Sequence, residues 1–181
     1  MTYYGPKELA ASFRTVRNNT IQIAEEIPEE HYEYRAAPGT RTVAETLVHI
    51  AVAPRVQEQI HAIGKLHTLA GFDFFGLLQK QLAEEKVPRS KAEIVELLRT
   101  QGERFAKILE AFPEEQLNER VEYPQGMTPP SKSRFEMLLA PKEHEMHHRG
   151  QLMVIERIVG VTPHLTRQMQ ERVAVMQAGR S

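Results

Sequence analysis

Four long stretches of the sequence repeat inward-facing side chains at alternating steps of three and four residues, the spacing of one face of an α-helix. The clearest stretch follows residues 90–93 (SKAE), which have the form of a helix capping box, and Pro113 closes it. Its stripe comprises Ile94, Leu97, Leu98, Gln101, Phe105, Ile108, Leu109 and Phe112. Because each such helix has to bury its stripe against another element, the pattern predicts an all-α fold.

Prolines and glycines mark the ends of the other three long helices. The first is expected to open at Pro6 and to end before Pro28. Its stripe comprises Leu9, Phe13, Val16, Thr20, Ile23 and Ile27. The second should run from Thr40 or Thr42 to about Ile63, with Gly64 as its stop.

Two of these helices contain an internal proline. Pro54 should kink the second helix, because it removes a backbone donor and crowds a carbonyl of the preceding turn. The last long helix should start near Ser131 and end at about Val159, with Pro141 inside it.

Shorter elements connect and extend these four helices. Phe72, Phe75, Leu78 and Leu82 suggest a short helix after Gly71. Residues 117–130 read as a long loop in which residues 119–123 form a short extended piece, and residues 165–177 as a further helix. The chain is therefore predicted to be a four-helix bundle of the up-down type with extra short helices. Residues 1–163 would form the bundle, and residues 164–181 a C-terminal helical extension packing on the same domain.

Three of the eight histidines fall within five residues of the last long helix, in residues 144–151 (HEMHHRGQ). His144 and His148 are four residues apart, so they lie one turn apart on the same helix face. At about 100° per residue, His147 falls near the edge of that face and Glu145 towards its opposite edge. The buried side of the helix is expected to carry Met137, His144, His148, Gln151, Leu152, Ile155 and Ile158.

His49 is a third inward histidine, on the second helix. It belongs to a stripe that comprises Thr42, Thr46, His49, Ala53, Val56, Ile60 and Ile63. Two readings of these imidazoles are open: each could hydrogen-bond within the core, or the three could share one divalent metal ion. The chain has no cysteine, so any metal would be held by imidazole and oxygen ligands.

The histidine cluster also matches the metalloprotease motif, with Glu145 as the general base. The extended form of that motif needs a histidine where this chain has Val154. Glu171 is a conceivable downstream ligand, but it lies beyond the break at Gly160 and Pro163. We therefore do not favour a protease.

Net charge and hydropathy exclude some classes of binding partner. The net charge is −1 and the basic residues are scattered, so no nucleic-acid surface is expected. No apolar run is long enough to span a bilayer, and the N-terminus has no signal-peptide pattern. A cytoplasmic location is expected.

Two segments resemble the metal-ligand helices of the DinB/YfiT-like family, the DinB superfamily of metal-dependent hydrolases. Residues 42–50 (TVAETLVHI) resemble the first helix. Residues 144–151 are similar to the second, in which two histidines four apart are followed by Arg-Gly-Gln, and residues 160–163 (GVTP) to its usual end. The resemblance implies a four-helix bundle, often dimeric, whose three-histidine metal site would be His49, His144 and His148.

The resemblance leaves three functions open. The first is a metal-dependent hydrolase of a small substrate, with zinc or nickel, or else iron or manganese, in the site. The second is a thiol-dependent transferase or isomerase that activates a low-molecular-weight thiol at the metal. The third is a stress-induced, metal-stabilised bundle without enzymatic activity. Glu45, one turn before His49, and Glu145 would either orient a ligand or be solvated helix glutamates.

Overall fold

The computed structural model describes residues 4–179, and almost all of its regular structure is helical. In chain order the α-helices are α1 (Pro6–Glu26), α2 (Val43–Val52), α3 (Arg55–Gln57), α4 (Phe74–Glu85), α5 (Lys91–Glu110), α6 (Arg134–Ile158) and α7 (His164–Ala178). A π-helical segment, Glu58–Ile63, continues α3 directly. The predicted all-α class is confirmed.

The rest of the regular structure is short. Two 3-10 turns, Glu29–His31 and Glu114–Gln116, follow α1 and α5. Strands β1 (Arg120–Glu122) and β2 (Ser131–Ser133) pair antiparallel, which agrees with the extended piece predicted before the last long helix. Among residues 4–179, no helix combines the length and apolarity needed to cross a membrane.

The four-helix bundle consists of α1, α2 with its continuation, α5 and α6. The main helix pairs are α1 with α5, α5 with α2, α2 with α6, and α6 with α1. The consecutive helices α1 and α2 therefore face each other across the bundle. Two apolar clusters fill its interior, one around Ile23, Leu47 and Leu98 and the other around Phe13 and Phe105.

Reciprocal capping boxes set the beginning of the helices that carry the site and of α5. In each box the first side chain accepts from a backbone N–H, and a glutamate three residues later accepts in return. The pairs are Thr42 with Glu45, Ser90 with Glu93, and Ser133 with Glu136. The sequence suggested that the last long helix starts near Ser131. Residues 131–133 instead pair with β1, so α6 begins at Arg134.

The second predicted helix is interrupted at Pro54, as expected, and Gly64 ends its continuation. The N–H of Gly64 donates to the carbonyl of Gln59 at 2.9 Å. Ile63 was predicted to be buried but is 58% exposed. The π-helical turn holds more residues than an α-turn, so a stripe counted at 3.6 residues per turn loses its phase there.

Two further predicted stripes are only partly buried. In α4, Phe75 and Leu82 are exposed, and the helix instead buries Gln81 and Glu85. The amide of Gln81 donates to the carbonyl of Val52 at 3.0 Å, which joins α4 to the end of α2. In α6, Met137, Leu152 and Ile155 are buried as expected, whereas Ile158 is exposed.

Helix α7 contacts the bundle mainly through its first turn. His164 is buried, with its Nε2 3.3 Å from Oδ1 of Asn19, and Arg167 pairs with Glu26 at 2.6 Å. Met169, Val173 and Met176, from the predicted stripe, are exposed. The division into residues 1–163 and 164–181 stays a prediction, and its outer ends, residues 1–3 and 180–181, lie outside the described residues.

Glu156 of α6 is completely buried, and neither of its carboxylate oxygens has a hydrogen-bond partner within residues 4–179. Burial, aided by the charge of Glu26, raises the pKa of Glu156 to about 7 from 4.5. A folded state that holds this proton more tightly than the unfolded chain loses stability as the pH rises from 4.5 through 7. The carboxylate is therefore a source of instability above neutral pH.

We expect Glu156→Gln to stabilise the protein by roughly 2–4 kcal/mol at pH 8, since each tenfold change in proton affinity is worth about 1.4 kcal/mol. The gain should vanish at pH 4.5, where the carboxyl is neutral in the folded protein. Urea unfolding at both pH values measures it. Glu143→Gln, at an exposed position of the same helix, should stay within about 0.5 kcal/mol of the parent. A gain that does not depend on pH would contradict the assignment.

Candidate metal centre

The three histidines singled out in the sequence meet between α2 and α6. Nε2 of His144 lies 3.1 Å from Nε2 of His49 and 3.1 Å from Nε2 of His148. One ligand nitrogen from each residue lies within 4.8 Å of the other two. His148 is buried, and His49 and His144 are partly buried. The fold thus brings together all three predicted residues.

Hydrogen bonds on the far side of two rings determine which nitrogen carries the proton. Nδ1 of His49 lies 2.8 Å from a carboxylate oxygen of Glu85, which can only accept, so Nδ1 is the protonated nitrogen. Nδ1 of His148 lies 2.9 Å from Oε1 of Gln151, an acceptor as well. When these two rings are neutral, Nε2 of each is therefore a bare lone pair that faces the shared centre.

The cluster is electrostatically suited to a cation. Burial, followed by the neighbouring histidines, lowers the pKa of His144 to about 4. Burial also lowers the pKa of His148, against the opposing effect of its bond to Gln151. Nε2 of His144 can donate its single proton to only one of its two neighbours, so the lone pair of at least one neighbouring Nε2 is left without a donor. A divalent ion would satisfy all three nitrogens, so the donor set fits a three-imidazole metal site.

His147 lies beside the cluster and outside it, as its helical phase predicts. Its ring is exposed and packs edge-on against His148, with 4.9 Å between the ring centroids. Its Nε2 accepts from the amide of Gln151 at 3.1 Å. Gln151 was predicted to face inward but is exposed, and it touches the site by accepting from His148.

Glu145 is buried, at the edge of the inward face of α6 that lies opposite His147, where its helical phase placed it. Arg17 of α1 binds it with two nitrogens: Nε at 2.9 and 3.1 Å from the two carboxylate oxygens, and Nη2 at 2.9 Å. The same guanidinium donates to the carbonyls of Leu98 and Ile50. This network ties α6 to the other three bundle helices immediately beside His144. Glu145 is therefore neither a solvated glutamate nor the free general base that a protease would need.

Gly102 of α5 makes room for Arg17. A Cβ atom at position 102 would lie 2.7 Å from Cγ of Arg17, closer than real contacts allow. Arg17 cannot move away easily because its guanidinium is bound on several sides. Glycine is thus required here by packing and not by backbone conformation.

We expect Gly102→Ala to destabilise the protein by about 1–3 kcal/mol through overpacking, despite the higher helix propensity of alanine. Gly150→Ala is the matched control, because Gly150 also lies within a helix but has no atom within 4 Å of the added Cβ. The control should gain about 0.5–1 kcal/mol. Urea unfolding measures both changes, and equal effects of the two would contradict the packing argument.

Glu45 serves the start of α2 and does not bond to the histidines. One oxygen accepts from the N–H of Thr42 at 2.8 Å, and the other from Lys86 at 2.6 Å and Arg35 at 3.1 Å. Burial would raise its pKa, but these hydrogen bonds together lower the pKa of Glu45 to about 2. The residue is a helix cap held in two ion pairs.

No sequence pattern indicates Glu85 or Arg17 as partners of the site. Glu85 lies in α4, a segment whose apolar residues alone suggested a helix. Arg17 follows Val16, which belongs to the stripe of α1. An arginine at such a position is expected at the edge of the buried face. A buried arginine paired with a glutamate on another helix leaves no local spacing pattern.

Comparison with known proteins identifies the family and the fold. The family model described as the DinB family matches residues 1–174. The chain belongs to the DinB family. The uncharacterized DinB-family relative YjoA of Bacillus subtilis is 27% identical over 159 residues, 86% of this chain and 91% of the relative.

Solved DinB-like structures share the fold. The crystal structure of YjoA has a TM-score of 0.63 at 26% identity, over 86% of this chain and 94% of that one. A DinB-like protein from Bacillus cereus gives 0.66 at 21% identity, over 90% and 97%. YfiT from Bacillus subtilis, described as "a probable metal-dependent hydrolase with an unusual four-helix bundle topology", gives 0.68 at 14% identity, over 90% and 91%. The DinB-like four-helix bundle predicted from the sequence is confirmed.

Proposed function

We propose that this protein binds one divalent metal ion through His49, His144 and His148 and is a metal-dependent hydrolase of a small substrate. One observation carries the proposal: Nε2 of His144 lies 3.1 Å from Nε2 of both His49 and His148, and one ligand nitrogen of each residue lies within 4.8 Å of the other two. For His49 and His148, the opposite nitrogen is engaged by a protein acceptor. The description of YfiT, which shares the fold, supports the same class of activity.

The chain's own residues would orient the ligands. Glu85 and Gln151 hold the Nδ1 protons, and this keeps the Nε2 lone pairs of His49 and His148 directed inward. The Arg17–Glu145 pair fixes the rotation of α6. When bound, a divalent ion with three imidazole ligands and open coordination positions supplies a Lewis acid that polarises a substrate oxygen or water.

We propose zinc or nickel as the resident ion, with iron or manganese as alternatives, because imidazole suits all of them. The homodimer and the cytoplasmic location stay predictions. Two alternatives also stay predictions: a low-molecular-weight thiol that binds at the metal and serves a transferase or isomerase reaction, and a non-enzymatic role.

Metal analysis of protein purified without a histidine tag tests the proposal first. We expect about one divalent ion per chain and a lower melting temperature after chelation. The metal-loaded and chelated proteins are then compared on a panel of small chromogenic esters, amides and phosphate esters. Hydrolysis that disappears on chelation and returns with the metal supports the hydrolase.

Other outcomes separate the alternatives. No bound metal, with unaltered melting after chelation, would rule out metal-dependent chemistry of either kind. Bound metal without hydrolysis, together with a change in the spectrum of the cobalt-substituted protein on adding a thiol, would favour the transferase. Bound metal with neither response would favour the metal-stabilised, non-enzymatic bundle.

A further inference from the structure

A cleft of about 840 Å³ lies beside the three-histidine cluster and reaches it at His148. This volume falls in the range of about 300–1,000 Å³ that is usual for small-molecule sites. The wall of the cleft is contributed by the loop before α2, by α2 itself, by α4 and by α6. The cleft is therefore the space through which a small molecule would approach the histidines.

The polar residues of the cleft lining carry a net positive charge. Three cationic side chains, Arg35, Arg41 and Lys86, line the cleft together with two carboxylates, Glu45 and Glu85. Both carboxylates are already engaged by these cations. One positive charge is thus left over in the lining before any metal ion is counted.

Arg41 is the cation connected to the histidine cluster. Its Nε and Nη2 donate to Glu85 at 2.6 and 3.2 Å, and the same carboxylate accepts from Nδ1 of His49. Within residues 4–179, Nη1 of Arg41 has no hydrogen-bond acceptor, and the side chain is 33% exposed. A guanidinium held on one edge with its other edge free is well placed to bind an anionic group.

The cleft lining also has an apolar part. Leu82 of α4 and Val154 of α6 belong to it and are 40% and 56% exposed, and Ile155 adds a buried aliphatic side chain. Exposed aliphatic side chains that face a cleft indicate a ligand with an apolar part. A lining that combines free positive charge with exposed aliphatic side chains fits a molecule with a charged head and a short apolar tail.

We propose that the cleft binds a small amphipathic anion, whose carboxylate or phosphate group is held by Arg41 and whose apolar part lies against Leu82 and Val154. This inference rests on the proposed function in one respect: if the protein is a hydrolase, the inference names its substrate class. The bond to be hydrolysed would then lie between the anionic group at Arg41 and the end of the cleft at His148.

The proposed anion site is tested on protein from which metal has been removed with a chelator. Ligand-observed NMR titration measures the binding of hexanoate, hexyl phosphate and neutral hexanamide. Removing metal beforehand prevents an anion from binding to the ion itself. We expect at least one of the two anions to bind at least tenfold more tightly than hexanamide. The stronger of the two identifies the headgroup, and acetate should bind more weakly than hexanoate because it lacks the tail.

The matched control uses a second arginine–glutamate pair, whose glutamate lies on α4 like Glu85. Arg55 pairs with Glu84, next to Glu85, and its side chain is 30% exposed, but it does not line the cleft. Arg41→Gln should weaken anion binding at least tenfold, Arg41→Lys should retain part of it, and Arg55→Gln should stay within twofold of the parent. Urea unfolding of each variant verifies that it is folded.

Two results would overturn the proposal: equal binding of hexanoate, hexyl phosphate and hexanamide, or unchanged anion binding in folded Arg41→Gln. Because the titration is done without metal, its outcome is independent of the metal analysis. A protein that binds hexanoate through Arg41 but takes up no metal would keep this inference and lose the hydrolase. A protein that takes up metal but does not bind hexanoate or hexyl phosphate through Arg41 would lose this inference and keep the hydrolase proposal.

Discussion

Replacing His49 by alanine is expected to weaken divalent-metal binding by at least about tenfold. Substitutions of residues that merely orient a metal ligand typically cost about 10–100-fold in affinity, so loss of a ligand should cost no less. His49 contributes the only imidazole from α2, and its Nε2 lies 3.1 Å from that of His144. Competition of the protein with a chromogenic zinc chelator gives the affinity of parent and variant under the same conditions.

His147→Ala provides the matched control for this experiment. His147 is exposed and lies in the same motif as His144 and His148, but it is bonded to Gln151 and not to the cluster. Its removal should change the metal affinity by less than about threefold. If His49→Ala binds metal as well as the parent does, or if His147→Ala loses the metal instead, the three-ligand assignment is wrong.

Replacing Arg17 by methionine is expected to lower the free energy of unfolding by about 3–5 kcal/mol. The substitution leaves the Glu145 carboxylate buried without its cation, and breaking a buried pair in this way costs far more than the pair itself is worth. Both side chains are almost inaccessible, at 3% and 2% exposure. Urea unfolding at neutral pH measures the loss.

Arg14→Met is the control, because Arg14 lies one turn earlier in α1 and pairs with two glutamates that are about half exposed. Exposed pairs of this kind contribute about 0–1 kcal/mol. Adding Glu145→Met to Arg17→Met should restore much of the lost stability, since the unpaired charge is then gone. An Arg17→Met variant no less stable than Arg14→Met would contradict the argument.

Local chemistry explains why most of the fold was predictable from the sequence. Capping residues such as Thr42 and Ser90 begin helices through hydrogen bonds to backbone groups three residues away, and prolines end them for equally local reasons. The His144 and His148 pair was visible for the same reason, because four residues is one helical turn. His49 was found because it lies in the middle of a helix face that is otherwise expected to be buried.

The residues that support the site were not predictable, because their partners are distant in sequence. Glu85 is 36 residues from His49, and Arg17 is 128 residues from Glu145. A glutamate on a helix reads as solvated unless the cation that compensates its burial is known. The helical phase places Glu145 only at an edge of the buried face, and it could not show that a charged pair, and not an apolar side chain, fills that edge.

The Arg17–Glu145 pair and the glycine beside it have an evolutionary consequence. A single substitution at position 17 or 145 leaves a buried charge alone, and a side chain at position 102 collides with the arginine. Substitutions at these three positions should therefore be inherited together. Related chains that lose the arginine should also lose the glutamate and tolerate larger residues in place of Gly102. Position 145, between His144 and the next two histidines of the motif, should then vary, while His49, His144 and His148 do not.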